Sequence, residues 1–163
     1  MKVTDILKSE HEIILKKIEE ALCFFDTSNW RDKKYWEVFL LFLQKFADDF
    51  HHAKEENIYF SWMLKLEPML ENGPLKCMLS DHEKSRSIVA RAKINLQDES
   101  WEDFKGLIFE YGNLLQEHIS KEDNILYNMA EGLNNDLGTG DQIMLPKFLE
   151  VNETLKESVL EFL

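Results

Sequence analysis

The sequence predicts an all-α protein, an up-down-up-down four-helix bundle with a short additional C-terminal helix. Apolar residues recur at steps of three and four along nearly the whole chain, which is the period of helices that bury one face. The 163 residues include only three prolines and six glycines, and no stretch alternates in the manner of a β-strand. Long helical segments joined by short connections favour antiparallel neighbours in a bundle.

Breaks in the apolar pattern set the expected limits of four long helices, which are about 4–25, 33–67, 74–97 and 101–133. Thr4 and Ser100 are the expected N-caps of the first and fourth helices, and Pro68 ends the second. The polar stretch 134–140 is typical of a loop. A shorter fifth helix is expected from Pro146, because proline suits the first turn of a helix.

Length and pattern predict a single domain over 1–163, with the bundle over about 4–133 and a C-terminal extension over about 141–163. No low-complexity tract or internal repeat is evident in the sequence. Cys23 and Cys77 form no CxxC pair and lie in helical patterns, so we expect reduced, buried thiols.

The net charge of −12 argues against nucleic acid and anionic membrane surfaces as partners, since both require a basic footprint. No apolar run approaches the length of a membrane span, and the first residues lack the apolar core of a signal peptide. We therefore expect a cytoplasmic protein with no nucleic-acid or membrane partner. The oligomeric state stays open.

Histidines occur in all four predicted bundle helices, and several of them interrupt apolar seams. In the fourth helix the seam runs through Leu115, His118, Glu122, Ile125 and Met129. A buried imidazole and carboxylate one turn apart are costly unless a shared cation pairs with them. The same spacing recurs at His52 and Glu56. Counting helix rise places the histidines of neighbouring helices at depths that differ by about 3 Å, except for a poorer match of about 7 to 8 Å between His11 and His52. The candidate metal ligands are His11, His52, Glu56, His82, His118 and Glu122.

The segments HHAKEENIYF and HISKEDNILYNMA resemble the hemerythrin-like family, together with a leading histidine in the first helix and DHEKSR in the third. The resemblance covers most of the chain from Ile6 to Met129 and implies a non-haem di-iron centre inside the bundle. Carried over to this sequence, it implies the same six ligands, with Glu56 and Glu122 bridging two irons. Imidazole with carboxylate also suits manganese or zinc, which are possible substitutes.

Two positions depart from the oxygen-carrying members of that family. Arg86 stands where those proteins have a second third-helix histidine, and a guanidinium has no lone pair for a metal. Asp123 stands where they have an aspartate ligand, although Glu122 lies better on the seam. A missing fifth histidine predicts a more open metal pair. That favours chemistry with oxygen, peroxide or nitric oxide, or iron sensing, over reversible O₂ carriage.

Further residues have weaker assignments. Tyr59 and Tyr111 are predicted to line the pocket, either packed in the core or hydrogen-bonded to a bound ligand. Arg86 is predicted to pair with a nearby carboxylate, the alternative being that it steadies a bound anion. His51 is predicted to be a surface histidine paired with Glu55.

The predicted function is that of a hemerythrin-like di-iron protein that binds O₂ or a related small molecule, nitric oxide or peroxide, at a carboxylate-bridged metal pair. One alternative is a di-iron enzyme that reduces peroxide, O₂ or nitric oxide. A further alternative is an iron-sensing or iron-storage module, in which metal loading stabilises the bundle.

Overall fold

The computed structural model describes residues 2–137, 140–159 and 162. Within these ranges the chain forms five helices and no strand, which confirms the predicted all-α bundle. The helices are α1 (Val3–Phe24), α2 (33–66), α3 (Pro74–Gln97), α4 (101–137) and α5 (Gly140–Val159), with a 3₁₀ turn over Pro68–Asn72 between α2 and α3. Of these helices, none is long and apolar enough to cross a membrane.

The helix starts depend on specific side chains. Asp32 caps α2 by accepting hydrogen bonds from the backbone N–H groups of Lys34 and Tyr35 at 3.0 and 3.2 Å. Thr4 is not the N-cap of α1, because the helix begins one residue earlier and the Thr4 hydroxyl donates to Glu131 of α4 at 2.8 Å. Ser100 occupies the N-cap position of α4 as predicted, without a side-chain capping bond.

Two of the long helices widen into π-helical turns. In α2 these turns cover Leu43–His52 and Glu55–Phe60, and in α4 they cover Glu122–Leu126. A π turn adds a residue to the helical repeat and therefore rotates the side chains around it relative to an α-helix. All three widened segments contain residues of the predicted metal site or their direct neighbours.

Two apolar clusters fill the bundle, one towards each end. One cluster includes Ile14, Trp36, Phe46 and Phe104, and the other includes Leu7, Tyr59, Met63, Tyr127 and Phe148. In each of the four bundle helices, the buried histidines lie in sequence between residues of the first cluster and residues of the second. The fold thus encloses a polar layer between two apolar layers.

Several predictions about helix ends and faces were wrong. α4 continues through Leu137 and α5 begins at Gly140, so most of the predicted loop is helical; residues 138 and 139 lie outside the described part of the chain. Pro146 lies inside α5, which accepts the loss of one backbone hydrogen bond, and at 20 residues α5 is not short. The domain limits stay a prediction.

Four side chains predicted to be buried are exposed. Ile125 and Met129 are 59% and 41% exposed, because the π turn in α4 rotates them away from the seam that His118 and Glu122 share. Cys23 and Cys77 are exposed free thiols rather than buried ones. They lie on the outer faces of α1 and α3.

Candidate metal centre

Seven buried side chains converge in the polar layer and form two groups that could each hold a metal ion. One group is His52, Glu55, His82 and His118, and the other is His11, His51, Glu55 and Glu122. In each group the ligand atoms lie within 4.8 Å of one another. All seven side chains are at most 1% exposed, so these groups are sealed from bulk water.

Two carboxylates connect the groups. Oε2 of Glu55 lies 3.6 Å from Nε2 of His51 and 3.4 Å from Nε2 of His82. Oε2 of Glu122 lies 3.3 Å from Nε2 of His11 and 3.2 Å from Nε2 of His118. Each carboxylate therefore contacts one histidine of each group, which is the arrangement expected of ligands that bridge two ions.

Each of the five histidines has a carboxylate near its Nδ1 atom. The distances are 2.9 Å for His11–Asp123, 2.9 Å for His51–Glu10, 2.7 Å for His82–Glu56, 3.5 Å for His52–Asp48 and 3.7 Å for His118–Asp81. The first three are hydrogen bonds, and the last two are looser ion-pair contacts. A carboxylate that accepts from Nδ1–H leaves the Nε2 lone pair free to point at a metal.

In the part of the chain that the structure describes, buried polar atoms without a hydrogen-bond partner concentrate at this site. They include Nε2 of His11, His51 and His52, Oε2 of Glu55 and both carboxylate oxygens of Glu122. Each such atom costs about 1–3 kcal/mol when buried without a partner, and native structures contain few of them. Divalent cations among these lone pairs would satisfy all of them at once. The residues present therefore fit a metal site.

Protons compete with cations for these nitrogens. Burial alone would lower the pKa of His11, but the hydrogen bond to Asp123 and the adjacent carboxylate of Glu122 outweigh it and raise that pKa to about 10. The same balance holds for His82, because its contacts with Glu55 and Glu56 outweigh the effect of burial and raise its pKa to about 9. Burial and the neighbouring His82 and His51 lower the pKa of His52. Metal binding at this site must therefore displace protons.

Comparison with known protein families identifies the fold and the class of site. The family model for the hemerythrin HHE cation-binding domain matches residues 2–130, which include all seven converging side chains. The chain belongs to this family. Searches of curated proteins and of solved structures found no match. The matched region ends before α5, so α5 lies outside the HHE domain as the family model defines it.

The HHE domain of this chain contains an internal repeat, contrary to the prediction from the sequence. Residues 9–12 (SEHE) correspond to 80–83 (SDHE), and 51–58 (HHAKEENI) correspond to 118–125 (HISKEDNI). The contacts repeat as well. Glu10 pairs with His51 and Lys54 as Asp81 pairs with His118 and Lys121. The two halves of the site are thus related by an approximate two-fold symmetry.

His52 breaks this symmetry, because its counterpart in the repeat is Ile119. His52 stacks on His82 with ring centroids 3.8 Å apart and joins the group that also contains His118. This group has three histidines and the other has two. A fifth imidazole is therefore present after all, contributed by α2 rather than by position 86 on α3.

The structure places most predicted residues at the site, with two differences in α2. His11, His52, His82, His118 and Glu122 lie in the two groups as expected. Glu55 occupies the position predicted for Glu56, whose side chain is 24% exposed and contacts Nδ1 of His82. The prediction that His51 is a surface residue was wrong, as it is 1% exposed. The internal repeat is the signal that would have identified His51 and Glu55 as ligands, since it aligns His51 with His118 and Glu55 with Glu122.

The remaining predicted residues surround the groups. Asp123 is hydrogen-bonded to Nδ1 of His11, on the side of the ring that faces away from the two groups. Arg86 forms the predicted ion pairs, to Glu56 at 2.6 Å, to Glu83 at 2.7 Å and to Asp48 at 2.9 Å. Tyr111 is buried beside Arg86 at a cavity of about 280 Å³ between α2 and α3. Tyr59 is buried against Tyr127, whose hydroxyl donates a hydrogen bond to Glu55.

Proposed function

We propose that this HHE domain holds a non-haem di-iron centre that binds O₂ or a related small molecule, nitric oxide or peroxide. His11 and His51 would hold one iron, and His52, His82 and His118 the other. Glu55 and Glu122 would bridge the pair. The observation that carries this proposal is the set of inward-facing Nε2 and carboxylate oxygen atoms without hydrogen-bond partners.

The donor set supports iron as the metal. Imidazole and carboxylate together suit iron, manganese and zinc, and neither group of side chains contains the thiolates that Cu(I) and Fe–S clusters prefer. The family resemblance favours iron among the three, with manganese or zinc as substitutes. When bound, an iron pair supplies the electrons that O₂, nitric oxide or peroxide binding requires.

The unequal number of histidines determines where a small ligand would bind. An octahedral ion takes six donors, and each of the two bridging carboxylates would supply one donor to each ion. The position near His11 and His51 then has fewer protein ligands than the position near His52, His82 and His118. The small molecule would therefore bind on the side of His11 and His51, where complete burial excludes bulk water and bulky competitors.

The outer carboxylates and their cations keep the imidazoles in place. Glu56 is held between His82 and Arg86, and Asp48 between His52 and Arg86. Arg86 thus orients two histidines through their carboxylates, which supports the predicted ion-pairing role over direct contact with a bound anion.

Metal analysis of two matched variants tests the proposal. The wild-type protein, reconstituted with Fe(II) without oxygen, should bind two irons per chain, and its optical spectrum should change on addition of O₂. Glu55→Gln should abolish binding of the pair, because one shared carboxylate is lost. Glu56→Gln should retain two irons with affinity reduced by about 10–100-fold, the usual effect of an outer hydrogen-bond partner. Wild-type binding below one iron per chain would overturn the proposal.

The alternative is an enzyme that reduces peroxide, O₂ or nitric oxide at the same centre. The observation in its favour is the phenol of Tyr127, an oxidisable group hydrogen-bonded to Glu55. An oxygenated species that persists and releases O₂ supports a carrier, and one that decays to the oxidised iron pair within a turnover supports the enzyme. A cytoplasmic location and an iron-sensing role stay predictions.

A further inference from the structure

Three aromatic side chains form a continuous path from the metal centre to the protein surface. The hydroxyl of Tyr127 donates to Oε1 of Glu55, and its ring lies parallel to that of His11 at 5.8 Å between centroids. Tyr59 follows, with its ring centroid 5.4 Å from that of Tyr127. Trp62 completes the path at 6.3 Å from Tyr59. Tyrosine and tryptophan are the two aromatic residues whose side chains lose one electron most readily.

Packing alone does not account for tyrosine at position 59. The side chain is 2% exposed, and its hydroxyl has no hydrogen-bond partner within the described part of the chain. Buried tyrosine hydroxyls usually find a partner, because leaving one without a partner costs about 1–3 kcal/mol. Phenylalanine would fill the same space without that cost. The phenol is therefore retained at an energetic disadvantage for folding, as functional groups often are.

The outer end of the path opens on a cavity suited to a small anionic aromatic molecule. Trp62 lines a cavity of about 290 Å³ between α2 and α5, whose walls include Ile58, Leu66 and Met144. Lys65 and Lys147 also line it, and neither forms an ion pair with any described residue. On a chain with a net charge of −12, two unpaired lysines beside apolar walls make this a local site for anions.

We propose that Tyr127, Tyr59 and Trp62 relay single electrons from a small anionic phenol in this cavity to the metal centre, for the reduction of hydrogen peroxide. The inference rests on the di-iron centre of the proposed function, used as in its enzymatic alternative. Overall, one hydrogen peroxide and two phenols give two waters and two phenoxyl radicals. The O–O bond breaks, each phenol loses one electron and its hydroxyl proton, and the two protons end in water. The electrons pass through Trp62, Tyr59 and Tyr127 in that order.

Oxidation of the relay itself gives a readout other than turnover. Without a phenol, hydrogen peroxide added to the iron-loaded protein should generate an aromatic radical signal in frozen samples and leave oxidised Trp62 in peptide mass spectra. Tyr59→Phe should abolish oxidation of Trp62 and leave the fold unchanged, because the deleted hydroxyl has no hydrogen-bond partner among the described residues. Tyr35→Phe, which removes a phenol packed on Phe24 and Trp36 far along the bundle, is the matched control and should change nothing.

Steady-state assays test the cavity with two probes of different charge. Hydroquinonesulfonate should be oxidised at a lower KM than neutral hydroquinone, and the double variant Lys65→Gln/Lys147→Gln should raise the KM for the sulfonate alone. Lys16→Gln, on the exposed face of α1, is the control. Iron per chain is measured in every sample. Samples with two irons per chain in which Trp62 stays unoxidised, or in which Tyr59→Phe makes no difference, would overturn the relay. Failure to load iron would instead overturn the proposed function.

Discussion

The imidazole ring of His52 stacks on that of His82, with an angle of 16° between the ring planes. This contact has no counterpart in the other half of the site, where the repeat places Ile119. Burial and the adjacent histidines also lower the pKa of His52. A neutral imidazole whose Nε2 has no partner is ready to bind a cation.

Replacing His52 with isoleucine should make the two halves of the site equivalent. The group of His82 and His118 would lose one of its three histidines, whereas the group of His11 and His51 would keep all of its ligands. We expect the first ion to bind more than about 100-fold more weakly, beyond the loss typical of an outer partner, and the second to bind as before. Calorimetric titration with Fe(II) or Zn(II) separates the two events, and equal weakening of both would contradict this assignment.

The sequence predicted the helices and most of the site because both depend on local patterns. Helical periodicity places His118 and Glu122 on one seam, and breaks such as Pro68 fix the lengths that bring histidines of different helices to one depth. Five of the six predicted ligands lie in the two groups for this reason.

The prediction failed where the backbone departs from an ideal α-helix. In an α-helix His51 and His52 point about 100° apart, so only one of them fits on a buried seam. The π turns of α2 bring both histidines into the interior and place Glu55 rather than Glu56 in the site. Periodicity cannot reveal a π turn, which depends on tertiary contacts. Comparing the two HxxKE segments would have corrected the choice, because contacts repeat where sequence repeats.

Lys54 and Lys121 make equivalent contacts in the two halves but should contribute very differently to stability. Lys54 is fully buried and pairs with Glu10, itself buried, and with Asn152 of α5 at 3.2 Å. Lys54→Met removes the lysine partner of the buried Glu10 carboxylate, which keeps only its contact with His51, and should lower the free energy of unfolding by about 3–5 kcal/mol. Denaturant unfolding of the metal-free protein measures this change.

The control is Lys121→Met. Lys121 is 41% exposed, and its partner Asp81 keeps a second cation, Lys84, at 3.0 Å. The loss should therefore stay within about 1 kcal/mol. Equal losses for the two lysines would show that burial does not distinguish the pairs.

Metal uptake should release protons at neutral pH. The pKa values of His11 and His82, about 10 and about 9, lie above the ordinary value of 6.5. Both rings are therefore protonated on both nitrogens and positively charged in the metal-free fold at neutral pH. Apparent metal affinity should therefore rise with pH until the pH exceeds these two pKa values. Metal titration in weak buffer with a pH indicator measures the release, and Asp123→Asn should reduce it, because this change removes a contact that raises the pKa of His11.

The same pKa shifts predict how the stability of the metal-free protein varies with pH. Groups whose pKa is higher in the folded than in the unfolded state contribute stability that is complete below the unfolded value. For both histidines that value is 6.5. The contribution of His82 is lost as pH rises through about 9, and that of His11 as pH rises through about 10. The unfolding midpoint of the metal-free protein, measured as a melting temperature, should therefore decrease as the pH is raised from neutral to alkaline. A flat or rising profile would contradict the assigned contacts.

Gly112 lies where α4 packs against α1, and its substitution tests the packing of the bundle. A Cβ at Gly112 would lie 3.2 Å from Cγ2 of Ile18 and 3.4 Å from Cδ1 of Leu22, whereas a Cβ at Gly106 would have nothing within 4 Å. Both glycines are inside α4, so alanine should favour the helix by about 0.5–1 kcal/mol at either position. Gly106→Ala should show this gain in full. Gly112→Ala should lose it, because overpacking costs about 1–3 kcal/mol. Thermal unfolding of the two variants measures the difference, and an equal rise in melting temperature would show that α1 yields at this contact.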